Sequence, residues 1–381
     1  MFWVRSSLLW SVGAWISLSI TSCSPTHSIS TPNETDQIQA LLQQLGTPAV
    51  AVTVMDSSST LTSGVAGVRI WNEAAAVTVS DLWHLGSNTK AMTAALAAIL
   101  VERGHLSWDT ALADVLPNLP GVLPVYQTAT LEQFLSHRAG VIPLTEFSAL
   151  PRFSGDIHQQ RLAFVSWALS QPPAAPPGTQ TLYSNAGYVV AAAMLESVLN
   201  ETWEQALTAE ILTPLGISGK YGWPGASDPN QPWGHTWHNN MWVPNDPNSA
   251  DNLFPEVLNP AGNLSMSLGD DAKWALLNLR GLQGVNSPIL SAASIQKLHT
   301  AIGVPPGQPG YALGWGLAVI NGHLVSYHLG SAGTFDAEIA IDATADRAIV
   351  IMANGDNSGG NYTPNSTLQI MDNFTIQLLT R

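Results

Sequence analysis

Three short stretches carry residue types able to perform acyl transfer. In "HLGSNTKAMTAALAAIL" (His84 to Leu100), Ser87 precedes Lys90 by three residues at the head of a run of alanine and leucine. Residues three apart share a helix face, so Lys90 is placed to take the proton of the Ser87 hydroxyl. A serine hydroxyl is a weak nucleophile until a neighbouring base activates it. The plainer reading is that Ser87 caps the helix. Spacing alone does not choose, because "SIQK" (Ser294 to Lys297) repeats the pattern with nothing around it beyond a helix start, in a chain of only four lysines. What sets Ser87 apart is company: Tyr183-Ser184-Asn185 before the helical pattern "AGYVVAAAMLESVL", and His328-Leu329-Gly330 at the end of the strand pattern "LVSYHLG". Taken singly, a core tyrosine, a turn asparagine and a structural histidine are the plainer readings of these.

The elements that must position these residues follow from periodicity and turn chemistry. "QIQALLQQLG" puts Ile38, Leu41, Leu42 and Leu45 on one helical stripe ended by Gly46. "PAVAVTVMD" and "STLTSGVAGVRI" read as two strands joined by a serine-rich turn. Met92, Leu96, Ile99 and Leu100 continue the helix that begins near Lys90, with Gly104 as its stop. From Leu106 the text changes to helical segments separated by Pro- and Trp-rich loops. Strand signals return in "GWGLAVING", "LVSYHLG", "FDAEIAID" and "RAIVIMANG", as in an antiparallel meander, and a last helix lies around "NSTLQIMDNFTIQLLTR". The expected architecture is a mixed α/β (α+β) fold. One antiparallel sheet is built from both ends of the chain and flanked by helices, and a mostly helical segment is inserted between them. No internal repeat is evident.

Composition narrows the function class. The chain has 381 residues, 45% hydrophobic and 10% charged, with a formal charge of -14. Nucleic-acid binding needs clustered basic residues, and this sequence has none. At the N-terminus, Arg5 precedes the apolar run "LLWSVGAWISLSI" (Leu8 to Ile20), too short to span a bilayer comfortably, and "ITSC" ends at Cys23, the single cysteine. That tetrapeptide looks like a bacterial lipoprotein box. Residues 1–22 are expected to be a signal peptide, and Cys23 a lipidated N-terminus that anchors the protein at a membrane. Residues 23–36, rich in Ser, Thr and Pro, are expected to be a flexible tether. Ordinary cleavage and secretion is the alternative. One cysteine leaves no intramolecular disulfide.

Beyond the three motifs, "GHLSWDTALADVLP", "TLEQFLSHRAGV", "LTPLGI", "NPAGNLSMSLGDDAKW" and "YALGWGLAV" stand in an order that resembles the penicillin-recognising serine hydrolases. That group comprises the class C β-lactamases, D-alanyl-D-alanine carboxypeptidases, D-aminopeptidases and related carboxylesterases. Ser-x-x-Lys is a mark of it. The resemblance runs over most of residues 38–381. It implies a β-lactamase/transpeptidase-like domain over 37–381, with an α/β lobe from 37–105 and 260–381 and a helical lobe from 106–259. It implies an acyl-enzyme on Ser87, general-base work shared by Lys90 and Tyr183, and Asn185 bonded to Lys90 and to the substrate flank. The oxyanion hole is expected from the backbone N–H groups of Ser87 and Ser331, with Gly330 letting the substrate lie close against the strand. His328 stands where β-lactamases more often carry lysine. Tyrosine and lysine titrate near ~10 and ~10.4, so either needs burial or the other's charge to act near neutrality. No cofactor is implied.

The pattern departs at Leu329, where a threonine or serine is usual. Leucine offers no hydrogen bond to a substrate carboxylate, unless Ser331 or Thr334 compensates. This lowers β-lactamase and D,D-carboxypeptidase activity relative to an esterase or aminopeptidase-like amidase. The expected partner is a small-molecule or peptide substrate, peptidoglycan-derived peptides included. A non-catalytic cell-wall-binding lipoprotein is the alternative from another class. In "WGHTWHNNMW", His235 and His238 are spaced too loosely for a metal site. Trp233, Trp237 and Trp242 either wall the substrate pocket or pack the loop down.

Overall fold

The computed structural model describes residues 34–147, 150–249 and 254–380. The expected signal peptide and Cys23 lie outside the described residues. The first helix, Glu34–Leu45, begins three residues before the expected domain start at 37, so the last residues assigned to the tether are helical.

Among the described residues twelve strands are formed: β1 (Ala49–Met55), β2 (Thr60–Gly67), β3 (Leu82–His84), β4 (Lys220–Tyr221), β5 (Gly234–His238), β6 (Met241–Asn245), β7 (Leu264–Ser267), β8 (Gly310–Tyr311), β9 (Gly316–Ile320), β10 (His323–Ser331), β11 (Asp336–Asp342) and β12 (Arg347–Ala353). The main sheet has the order β2-β1-β12-β11-β10-β9-β8, every pair antiparallel. The four C-terminal strand patterns thus form a meander, and β1 joins it by pairing with β12. Both faces are covered. Val50, Val52 and Val54 point to one side, under the helices Glu34–Leu45 and Thr367–Leu379. Ala49 and Ala51 point to the other, into the main core. A strand buried on both faces has no need of polar alternation, and β1 is buried at every position.

The helix Thr89–Glu102 is buried from Thr89 to Leu100 on all sides, which is why its sequence is apolar throughout rather than striped. Gly104 at φ +73° lets the chain turn away after it. A small second sheet, β3-β7-β4, lies at the head of this helix and draws β4 from the otherwise helical 106–259 segment. That segment also supplies the β5–β6 hairpin. Its helices include Ile157–Leu169 and Asn185–Leu199.

Candidate active site

Ser87 lies in a single tight turn, Gly86–Asn88, between β3 and the buried helix. It is not the cap: Asn88 holds that position, and Ser87 Oγ instead meets two side chains of the motifs. Lys90 Nζ stands 3.0 Å from Ser87 Oγ, and Tyr183 Oη donates to the same atom at 2.7 Å. Lys90 Nζ donates to Asn185 Oδ1 (2.7 Å) and to the Ala261 carbonyl (2.5 Å). It stands 4.8 Å from the centre of the Tyr183 ring. Asn185 opens the helix Asn185–Leu199, whose cap is Ser184, and its Nδ2 donates to the Leu144 carbonyl at 2.9 Å. The amide is therefore held at both ends.

The charges follow from burial. Lys90 is fully buried, and loss of water pushes its pKa well below the usual lysine value. Burial of the Tyr183 hydroxyl pushes the phenol upward, with the Ser87 hydrogen bond opposing. The ring is 37% exposed, so water at its edge limits that rise. An amine beside a phenol holds the same number of protons as an ammonium beside a phenolate. Burial favours the uncharged pair, which leaves Lys90 the acceptor for the Ser87 proton.

The third motif closes the site from β10. A methyl group on Gly86, which sits at φ +49°, would meet the Ser331 nitrogen at 2.6 Å, so the backbones of residues 86 and 331 are in contact. Gly330 has a structural reason besides the expected one. A methyl group there would meet the Leu85 carbonyl at 2.1 Å, so this glycine admits the nucleophile turn itself. His328 is buried behind the cleft. Its Nδ1–H donates to the Leu329 carbonyl (2.8 Å), and its Nε2 accepts from Tyr311 Oη (3.1 Å). Burial holds it neutral with a pKa near 3. Of the two alternatives to the missing threonine, Ser331 Oγ already donates to Asp356 Oδ2 at 2.9 Å, whereas the Thr334 hydroxyl has no hydrogen-bond partner but is buried against Gly234.

Several residues at the site carried no sequence signal of their own. His84 Nδ1 accepts from the Gly86 N–H (3.1 Å), so Nε2 carries the proton and donates to Asn263 Oδ1 (2.9 Å). Asn263 donates to Asn259 (2.6 Å), and Asn259 to Glu204 Oε1 (2.8 Å), where Arg161 arrives at 2.7 Å. The nucleophile turn is thus tied to a buried ion cluster. Burial drives the His84 pKa to about 4. Phe254 lies 5.8 Å from the His84 ring and 5.3 Å from Phe147, and both phenylalanines are half-buried. Asp356 and His137 complete the surroundings.

The decoy and the loop histidines lie elsewhere in role. Ser294 is not even the cap of its helix, Ala292–Leu298: Ser291 is, and Lys297 pairs with Glu132. His235 accepts from the Trp71 N–H (2.9 Å) and donates to the Asn354 carbonyl (2.6 Å), so both its nitrogens are engaged. Among the described residues no group of three or more His, Cys, Asp or Glu could hold a metal ion. Trp242 donates to the Gly46 carbonyl (2.6 Å) and Trp233 packs on Gly225. Trp237 meets Trp242 edge-on at 5.0 Å. Trp233 and Trp242 pack the loop down, while Trp237 remains 40% exposed.

Comparison with known proteins decides the family. The model of the family described as Beta-lactamase matches residues 35–370. The chain belongs to the β-lactamase family. Among curated relatives, the unguisins hydrolase ungD of Aspergillus violaceofuscus is 31% identical over 367 residues, covering 87% of this chain. This β-lactamase-family chain spans 63% of that relative's length. Among solved structures, the octameric penicillin-binding protein homologue from Pyrococcus abyssi matches with a TM-score of 0.73 at 21% identity, over 91% of this chain and 77% of that one. A class C β-lactamase from Rhodobacter sphaeroides matches with a TM-score of 0.70 at 21% identity, over 91% of this chain and 99% of that one. At such identities the likeness is one of fold.

Proposed function

We propose that the protein is a serine hydrolase that cleaves a small ester or amide through an acyl-Ser87 intermediate. The observation that carries this is the convergence of Lys90 Nζ and Tyr183 Oη on Ser87 Oγ, at 3.0 and 2.7 Å. Ser87 Oγ attacks the carbonyl carbon while its proton passes to Lys90. The oxyanion is received by the N–H groups of Ser87 and Ser331. Tyr183 Oη, beside the nucleophile, gives its proton to the leaving group and recovers one from Lys90. Water then reverses the sequence to release the acid. The assembled constellation supports catalysis over the non-catalytic binding alternative, and the name of the unguisins hydrolase supports hydrolysis.

The substrate class follows from the third motif. A carboxylate beside the scissile bond would meet Leu329, which has no donor, and Ser331, whose hydroxyl already donates to an acidic side chain. Asp356 accepts further from Ser358 and from the Gly360 N–H. An uncharged flank suits this wall better than the carboxylate of a penicillin or of a D-alanyl-D-alanine end. Phe147 and Phe254 offer an apolar surface for the acyl side. The test compares turnover of a p-nitrophenyl ester and a chromogenic cephalosporin by wild type and Ser87→Ala. Ester turnover lost in the variant, with little cephalosporin turnover, is expected; dominant cephalosporin turnover overturns the substrate class, and turnover indifferent to Ser87 overturns the mechanism.

We also propose export and lipid anchoring at Cys23, on the strength of the apolar Leu8–Ile20 run and the "ITSC" that follows it. Labelling with a radioactive fatty acid that persists in Cys23→Ser would refute the anchor.

A further inference from the structure

We propose that His137 is a positioning residue that clamps Tyr183 for proton transfer, an inference that rests on the role given to Tyr183 above. His137 follows the short helix Leu131–Leu135 and adopts φ +60°, in the left-handed region that few residues other than glycine occupy. In this conformation its carbonyl accepts from the Leu182 N–H at 2.8 Å, and its Nδ1 accepts from the Ser184 N–H at 3.1 Å. One residue thus grips the backbone on both sides of Tyr183. Its ring also lies 4.4 Å from the Tyr183 ring, centre to centre, opposing any swing of the phenol away from Ser87.

The chemistry of the ring argues that the grip is selected. Because Nδ1 accepts from an amide, the ring proton sits on Nε2, and Nε2 is buried with no hydrogen-bond partner. An orphaned buried donor is unfavourable, and an apolar side chain would avoid it. What a hydrocarbon cannot provide is the Nδ1 lone pair for Ser184. The groups that face the ring are Tyr183, Tyr188 and Tyr311 in tilted contacts, with Lys90 and His328 the titratable groups nearby. Burial opposes protonation of His137, and any charge on Lys90 or His328 would oppose it further, which keeps the lone pair available. The clamp reaches the rest of the site through Asn185, two residues beyond Tyr183, whose amide orients Lys90.

The test uses the whole protein, the labelling rate of Ser87 by a fluorophosphonate, and kcat and KM on a p-nitrophenyl ester. His137→Phe keeps a ring but removes the acceptor. His137→Asn restores an acceptor where Nδ1 stood and tolerates the left-handed backbone. The Phe variant is expected to lose about 10- to 100-fold in kcat and in labelling rate, with KM within about threefold, as for a displaced proton-transfer group. The Asn variant is expected to recover most of that loss even though it lacks the ring. A folded Phe variant as fast as wild type overturns the proposal, as does an Asn variant as slow as Phe. Should the Phe variant not fold, His137→Gln, which carries its acceptor one carbon too far, takes its place with the same expectation and the same refutation. Wild type that never labels at Ser87 refutes the proposed function and the clamp together, whereas labelling indifferent to His137 refutes the clamp alone.

Discussion

Replacing Gly330 with alanine puts a methyl group 2.1 Å from the Leu85 carbonyl oxygen and 3.1 Å from the Asn88 nitrogen. Both obstacles are backbone of the nucleophile turn, so no side-chain rotation relieves them. The end of β10 must retreat from that turn by about 1 Å before the contact becomes one that real methyl groups make, and Ser331 retreats with it. A shift of about 1 Å in a catalytic group costs on the order of 10²-fold in rate, and loss of one oxyanion donor about 10²–10³-fold. Gly330→Ala should therefore lower kcat on a p-nitrophenyl ester by about 10²–10³-fold, some 2.7–4 kcal/mol of transition-state stabilisation, with a smaller effect on KM. Gly269→Ala is the control: it lies in the helix Leu268–Leu282 with nothing within 4 Å of the added methyl. Its kcat should equal that of wild type, and its stability should be unchanged or up to about 1 kcal/mol higher. A folded Gly330→Ala enzyme within about threefold of wild type would refute the close-approach argument.

Other substitutions probe separate parts of the account. Leu329→Thr should raise acylation by penicillins relative to esters, measured as the ratio of the two rate constants; an unchanged ratio removes Leu329 as the determinant. Arg161 is fully buried and pairs with Glu196 and with Glu204, so Arg161→Met should cost about 3–5 kcal/mol in urea unfolding by leaving those carboxyls without their guanidinium partner. A loss under about 1 kcal/mol contradicts this. Asp271 is pushed up to about 7, first by burial and then by Asp270. Its folded form holds a proton that the unfolded chain gives up near 4, so its contribution is whole at low pH and lost as pH rises toward 7. Asp271→Asn should therefore gain on wild type by up to about 1.4 kcal/mol per pH unit between pH 4 and 7. A gap that does not change with pH refutes the shift.

What the sequence revealed depended on whether a physical signal was local. β9 to β12 were legible because each is a short apolar run closed by turn residues. Ser87 and Lys90 were legible because chemistry needs them one turn apart. β3, β4 and β7 were not: strands of two to four residues are too short to show a period. His137 was hidden because its role depends on a left-handed backbone and on a loop 46 residues away in sequence, and "LSHRAG" carries no mark of either. Asp356 sits in "NGDNSGG", in the bend that follows β12, and its hydrogen bond to Ser331 could only be seen in three dimensions. The contact of Gly330 with the nucleophile turn was not legible because a sequence shows the residue that lacks a side chain and not the neighbour that needs the space.

The most direct test of the central claim is peptide mapping of the protein after reaction with a fluorophosphonate or a slowly released p-nitrophenyl ester. The account predicts one adduct per chain, on the peptide that carries Ser87. It should be absent from Ser87→Ala and formed far more slowly in Lys90→Met. An adduct on any other serine, or one that survives the loss of Ser87, would contradict it.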